Sequence, residues 1–264
     1  YMTESGNVLG YNWLADKLIF QQTLPVNFAG RMLVSGPHLY VGIPELTKNA
    51  DCPKGIYCLH KENGKIKWHA APDSPLYGWI HPYKNDIIFG SGKGIHAVDS
   101  NGKIKYVIEK TGFYDPVVLK DNIFTGGSAG LMVLNAETGT LLDSADAPSR
   151  VDNMCELNNS VICDAGDELY RYDIRDNKIV ECWRMMLTGR DNWIRSEILY
   201  HRGYLYFIDG NKRLNKVDFK SGEGVSKRFD VKGGTLDGDI VSHGNNLFLL
   251  TTTGQVRCFD LRVI

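Results

Sequence analysis

The chain has 264 residues, a formal net charge of −1, 43% hydrophobic residues and 23% charged ones. That is ordinary globular composition, and the near-neutral charge leaves no basic stripe to neutralise nucleic-acid phosphates or an anionic membrane surface. No run approaches the about 18 consecutive apolar residues of a spanning helix, so membrane insertion is not expected.

Residues 1–10, "YMTESGNVLG", lack the basic and apolar stretches of a secretory signal. Tyr1 ahead of Met2 reads as an addition before a native start, which favours the cytoplasm; a leader removed before residue 1 would instead place the protein in the periplasm or outside the cell. Residues 8–22, "VLGYNWLADKLIFQQ", read as a hairpin of two apolar stretches.

From residue 38 one pattern recurs: "HLYVGI" (38–43), "DIIFGS" (86–91), "NIFTGG" (122–127), "SVICDA" (160–165), "YLYFID" (204–209) and "NLFLLT" (246–251). β-Branched and aromatic residues suit strands, and a turn carrying glycine follows most of these runs, as in "GSGKG" and "TGGSAG". A second strand comes next ("IYCLHK", "GIHAVDS", "LMVLNAE", "LYRYDIR", "LNKVDFK", "VRCFDLR"), then a turn such as "ENGK", "SNGK" or "RDNK", then a third strand such as "KIKWHA". Asn-Gly and similar pairs supply the positive φ that such turns need. Ahead of each unit lies an inner candidate: "GRMLVSG", "GWIHPYK", "DPVVLK", "NMCELN", "SEILYHR" and "GDIVSHG".

Four short strands every forty or so residues, with no amphipathic helical segment, predict an all-β fold: a β-propeller of four-stranded blades forming one domain over residues 1–264. A lone blade cannot bury its faces, so the ring must close. Six blades, with a composite closing blade from both termini and "KLIFQQ" as its outer strand, is preferred to seven.

The turn-and-strand pattern resembles the pyrroloquinoline-quinone-type (PQQ-like) propeller repeat, A-x-D-x-x-T-G-x-x-x-W. "CLHKENGKIKW" (58–68) has that spacing with Gly64 and Trp68 retained. "VLNAETG" keeps Thr138 and Gly139, "KVDFKSG" keeps Asp218 and Gly222, and "AVDSNGKIKY" keeps Ala97, Asp99 and Gly102 with Tyr106 in the tryptophan place. "RYDIRDN" keeps Asp173 but has Asn177 for glycine. The resemblance covers nearly the whole chain. It implies a WD40-like ring architecture and, through a propeller lipoprotein of outer-membrane barrel assembly in the same group, a role in binding proteins. It also suggests a quinone-dependent dehydrogenase, but those enzymes are longer and use adjacent cysteines, and no Cys-Cys pair occurs here.

Ligands of propellers meet the channel mouth, formed by the loops leading into the inner strands. Those loops carry Arg31, Trp79, His81, Tyr114, Asp115, Arg150, Asp152, Asp191, Trp193, Arg195 and Asp237, the candidate binding set. Aromatics and arginine are favoured at interface hot spots. The insert at 44–55, "PELTKNADCPKG", replaces a tight turn and should lie on the same face.

Catalysis finds no support: there is no G-x-S-x-G elbow, phosphate loop or dinucleotide fingerprint. The aspartates of the mouth come from different blades beside arginines, so no metal and no cofactor is expected. Six cysteines form no C-x-x-C pair and read as reduced core thiols, with Cys52 and Cys58 flanking a turn close enough to bridge in an oxidising compartment. The expected function is a non-catalytic protein-binding scaffold using the mouth face, for instance a cytoplasmic partner-blocking protein of immunity type. The alternative is a small-ligand or glycan binder stacking on Trp79 and Trp193.

Overall fold

The computed structural model describes residues 3, 6–25, 31–44, 54–70, 75–109, 116–127, 130–146, 151–187, 193–194, 196–228, 236–251 and 253–262. The chain divides into two compact units, Tyr1–Asp143 and Ser144–Ile264. Among the described residues every regular element is a strand.

The first unit opens with a hairpin, β1 (Asn7–Asn12) and β2 (Lys17–Thr23), forming a two-stranded sheet. A four-stranded sheet follows from β3 (Met32–Ser35), β4 (His38–Ile43), β5 (Gly55–His60) and β6 (Ile66–Ala70). The next comprises β7 (Leu76–Tyr83), β8 (Asp86–Ser91), β9 (Gly94–Val98) and β10 (Ile104–Glu109). The third comprises β11 (Val117–Leu119), β12 (Asn122–Gly127), β13 (Gly130–Asn135) and β14 (Leu141–Ala145), which runs across the division between the units.

The second unit holds β15 (Val151–Leu157), β16 (Ser160–Ala165), β17 (Glu168–Arg175) and β18 (Lys178–Met186) in one sheet. Another is built from β19 (Leu199–His201), β20 (Tyr204–Ile208), β21 (Arg213–Asp218) and β22 (Gly224–Arg228). The last has three strands, β23 (Leu236–His243), β24 (Asn246–Thr251) and β25 (Val256–Asp260). Each sheet is an antiparallel meander in chain order, as short turns require.

Among the second and third strands, β4, β5, β8, β9, β13, β16 and β20 are mostly apolar because both of their faces are buried. Successive residues of a strand point to opposite faces. On β4, Leu39, Val41 and Ile43 pack back on Val8 and Leu24 of the hairpin. Tyr40 faces the other way, onto Leu76, Ile80, Ile87 and Phe89 of the next sheet. On β8, Ile88 turns to Ile123, Met132 and Leu134 of the third sheet. In the second unit, Leu205 and Phe207 of β20 meet Ile162 and Leu169, while Tyr206 and Ile208 meet Ile240, Leu247 and Leu249. The core is thus a series of slabs between neighbouring sheets, each fully buried aliphatic or Phe side chain contributing about 1.5–3 kcal/mol.

An aromatic ring clamps four of these slabs at the turn end. Phe20 of β2, Trp68 of β6 and Tyr106 of β10 lie so close over Gly64, Gly102 and Gly139 that a Cβ on those glycines would approach the rings to 2.3, 2.9 and 2.8 Å. Trp183 of β18 does the same over Gly222, at 2.7 Å. The polar edges of the rings are satisfied across the joint: Trp68 Nε1 donates to Ser100 O at 3.0 Å, Tyr106 Oη to Ala136 O at 2.7 Å and Trp183 Nε1 to Phe219 O at 2.9 Å. The N-terminal hairpin therefore meets its neighbour as the last two strands of a repeat would. The Asn-Gly, Thr-Gly and Ser-Gly turns serve two ends: the glycine adopts positive φ (Gly222 at 76°) and leaves room for the preceding sheet's ring.

Cys58, expected as a possible partner of Cys52, carries a free thiol buried in the slab between the first two four-stranded sheets; Cys52 lies outside the described residues.

Candidate functional site

The residues that enter the first strand of each sheet contain the expected binding set. Of these, Tyr114, Asp115, Arg150, Asp191 and Arg195 lie outside the described residues, as does most of the 44–55 insert. Asp152 and Asp237 are placed only as backbone positions, in β15 and β23. Arg31, Trp79, His81 and Trp193 are described in full.

In the first unit, Arg31 stands just ahead of β3, and its carbonyl accepts the N–H of Gly42 at 2.8 Å. The start of β7 packs directly over Gly42, where a Cβ would come within 2.6 Å of Leu76. That missing side chain brings β7 close to β3 and β4. β7 then bulges: Tyr77 pairs with Gly90 and Ile80 with the adjacent Phe89, so Gly78 and Trp79 are looped out of the ladder. Gly78 takes φ 76°, which an L side chain adopts only with strain. Bulges re-aim side chains, and here the result is that Ile80 is buried while Trp79 stands 38% exposed. The guanidinium carbon of Arg31 lies 3.8 Å from the centroid of the Trp79 ring. Among the described residues of the sequence-derived set, Arg31 and Trp79 are thus brought together.

His81, two residues on, behaves differently. It shares its strand face with Tyr83, and burial lowers its pKa to about 4, so it is neutral at physiological pH. Its Nε2 is enclosed and has no hydrogen-bond partner among the described residues. The residue as a whole is half-buried.

In the second unit, Trp193 is 48% exposed and precedes an isolated bridge from Ile194 to Asp209. Its carbonyl accepts the N–H of Gly210 at 2.8 Å. Ile194 N–H donates to Asp164 Oδ2 at 3.2 Å, and Ile208 N–H donates to Ser196 Oγ at 2.9 Å. Asp209, 1% exposed, holds Arg213 through two contacts of 2.9 Å and caps its backbone N–H. The sequence reading missed these buried supports. Asp164 is 3% exposed and holds Ile194, the residue after Trp193. The available signal was an aspartate ending an otherwise apolar strand, at 164 and again at 209.

Among the described residues no group of three or more His, Cys, Asp or Glu side chains is placed to hold a metal ion. Among the described residues no helix is long and apolar enough to cross a membrane.

No family model and no curated protein matches the chain. Solved structures do. The Cps50 (Swd1) β-propeller domain of Myceliophteria thermophila aligns with a TM-score of 0.72 at 14% identity, covering 98% of this chain and 92% of that one. The fold is a β-propeller. BamB from Moraxella catarrhalis aligns at TM-score 0.68 and 16% identity, over 98% of this propeller and 77% of that chain. The computationally designed Ika8 protein aligns at 0.67 and 15%, over 88% and 70%. At such identities the likeness concerns the fold alone.

Proposed function

We propose that this propeller is a non-catalytic scaffold that binds a protein partner through the residues entering its first strands, with Arg31–Trp79 and Trp193 as anchors. The observation that carries the reading is Trp79: a two-residue bulge and a glycine at positive φ turn a large aromatic side chain outward and set an arginine on it. Exposing a tryptophan forfeits hydrophobic stabilisation, and tryptophan and arginine are the residues on which interface energy concentrates. We read the repeat as PQQ-like, with six blades closed by both termini, and the setting as cytoplasmic with a partner-blocking role. Glycan stacking is the weaker reading, because the Arg31 guanidinium already covers one face of Trp79.

Photo-crosslinking in the native host tests this. A benzoylphenylalanine at position 79 or 193 should give discrete protein adducts, whereas one at the turn residue Glu62 should not. Equal labelling from all three positions, or none from 79 and 193, would remove the scaffold reading.

A further inference from the structure

Arg31 differs from most described arginines. Arg171, Arg175, Arg184, Arg213 and Arg262 each have a carboxylate within 4 Å. No carboxylate among the described residues pairs with Arg31; its guanidinium is laid on the Trp79 ring instead. A stacked guanidinium is held in orientation, while the N–H donors around its edge stay available in the plane. That edge matches a carboxylate in two parallel hydrogen bonds. Among the described residues its chain neighbours carry no cation: Met32 is 36% exposed, and Gly78 and the buried Ile80 flank Trp79. A polyanion such as nucleic acid needs several cations in a row. One fixed cation beside an exposed aromatic and an exposed methionine fits a single carboxylate on a protein surface, since arginine, tryptophan and methionine are the residues enriched in protein interfaces.

From this we propose that Arg31, stacked on Trp79, is the receptor for an acidic side chain, Asp or Glu, of the protein partner. The inference rests on the scaffold reading and adds the chemistry of what is recognised. Trp79 orients the guanidinium, and Arg31 makes the contact.

The test uses the full chain labelled with 5-fluorotryptophan. Its five tryptophans give five fluorine resonances, and Trp79→Phe assigns one of them. The probes are acetyl-Glu-Glu-Glu-amide, acetyl-Gln-Gln-Gln-amide and inorganic phosphate. The Trp79 resonance should move with the Glu peptide at a dissociation constant about tenfold below that of the Gln peptide, the contrast expected of a charge-assisted pair. Arg31→Gln should abolish the contrast, and Arg31→Lys, which keeps the charge but loses the planar fork, should weaken it several-fold. An equal response to both peptides, a response retained in Arg31→Gln with the other four resonances unmoved, or tighter binding of phosphate than of the Glu peptide overturns the proposal. If adducts form from position 79 while the peptides give no contrast, the carboxylate inference falls and the scaffold stands. The reverse pattern removes the scaffold and leaves a carboxylate site.

Discussion

At the scale of single residues, the turn glycines and the rings above them are the most sensitive points of the molecule. Trp183 is 8% exposed, donates to Phe219 O and lies against Gly222. Arg171 adds to the same joint, with its guanidinium 4.1 Å from the Phe219 ring centroid and a 2.9 Å hydrogen bond to Phe219 O. Trp183→Ala should cost about 3–5 kcal/mol, the range for removing a buried tryptophan. Gly222→Ala should also destabilise, by on the order of 1–3 kcal/mol, because it adds both a clash and a strained φ. Urea unfolding checks both; a Gly222→Ala midpoint equal to that of the unmodified chain would show that the ring does not depend on its seat. His96 is the second sensitive residue. It is 2% exposed, accepts or donates at Ser91 Oγ over 2.7 Å and stacks on Phe89. Burial, and then Lys93, lower its pKa to about 4 from 6.5. The fold favours the neutral ring, so this contribution is complete above pH 6.5 and is lost as the pH falls towards 4. Unfolding midpoints measured from pH 7.5 to 4.5 should fall, and His96→Asn should flatten that slope.

At the scale of elements, the strand runs read from sequence began where the observed second strands begin, at His38, Asp86, Asn122, Ser160, Tyr204 and Asn246. All but β24 are legible because both of their faces are buried, which leaves a mostly apolar run; β24 alternates buried and exposed residues. The first strands were harder. "GWIHPYK", "NMCELN" and "GDIVSHG" each begin two residues late against β7, β15 and β23. All three contain a register shift, between Tyr77 and Ile80, Asp152 and Cys155, and Leu236 and Ile240. A bulge interrupts the two-residue alternation by which a strand is recognised, so the part before it looks like loop. The unbulged first strands, β3, β11 and β19, have 4, 3 and 3 residues against 8, 7 and 8. The candidate site was legible as a set of residue types at loop ends. The pairing of Arg31 with Trp79 was not, since it depends on a bulge in one sheet and on Gly42 in another. Gly78→Ala tests that dependence: it should cost about 1 kcal/mol in stability through its φ, yet reduce capture of the partner by much more than that loss explains. Capture falling only in step with the folded fraction would show that the bulge does not present Trp79.

At the scale of the whole molecule, stability is distributed over slabs that each join two neighbours, as in other repeat proteins. Local opening should follow burial. Hydrogen exchange measured by mass spectrometry should be slowest in β4, β5, β8, β9, β13, β16 and β20, whose residues are almost all buried. It should be fastest in β2, β6, β10 and β14, which are half exposed. Uniform protection across each sheet would contradict a core made of slabs.

The ring-over-glycine joint also bears on how such a chain can grow. The sheet of β3–β6 supplies both a seat, Gly64, and a ring, Trp68; the sheet of β7–β10 supplies Gly102 and Tyr106. These two modules each carry both halves of the same coupling, so a copy of either finds a matching socket beside the other. Gene duplication or loss of a complete module would leave its neighbours with familiar mates, and descendants of this chain should differ in length by steps of about forty residues rather than by gradual erosion.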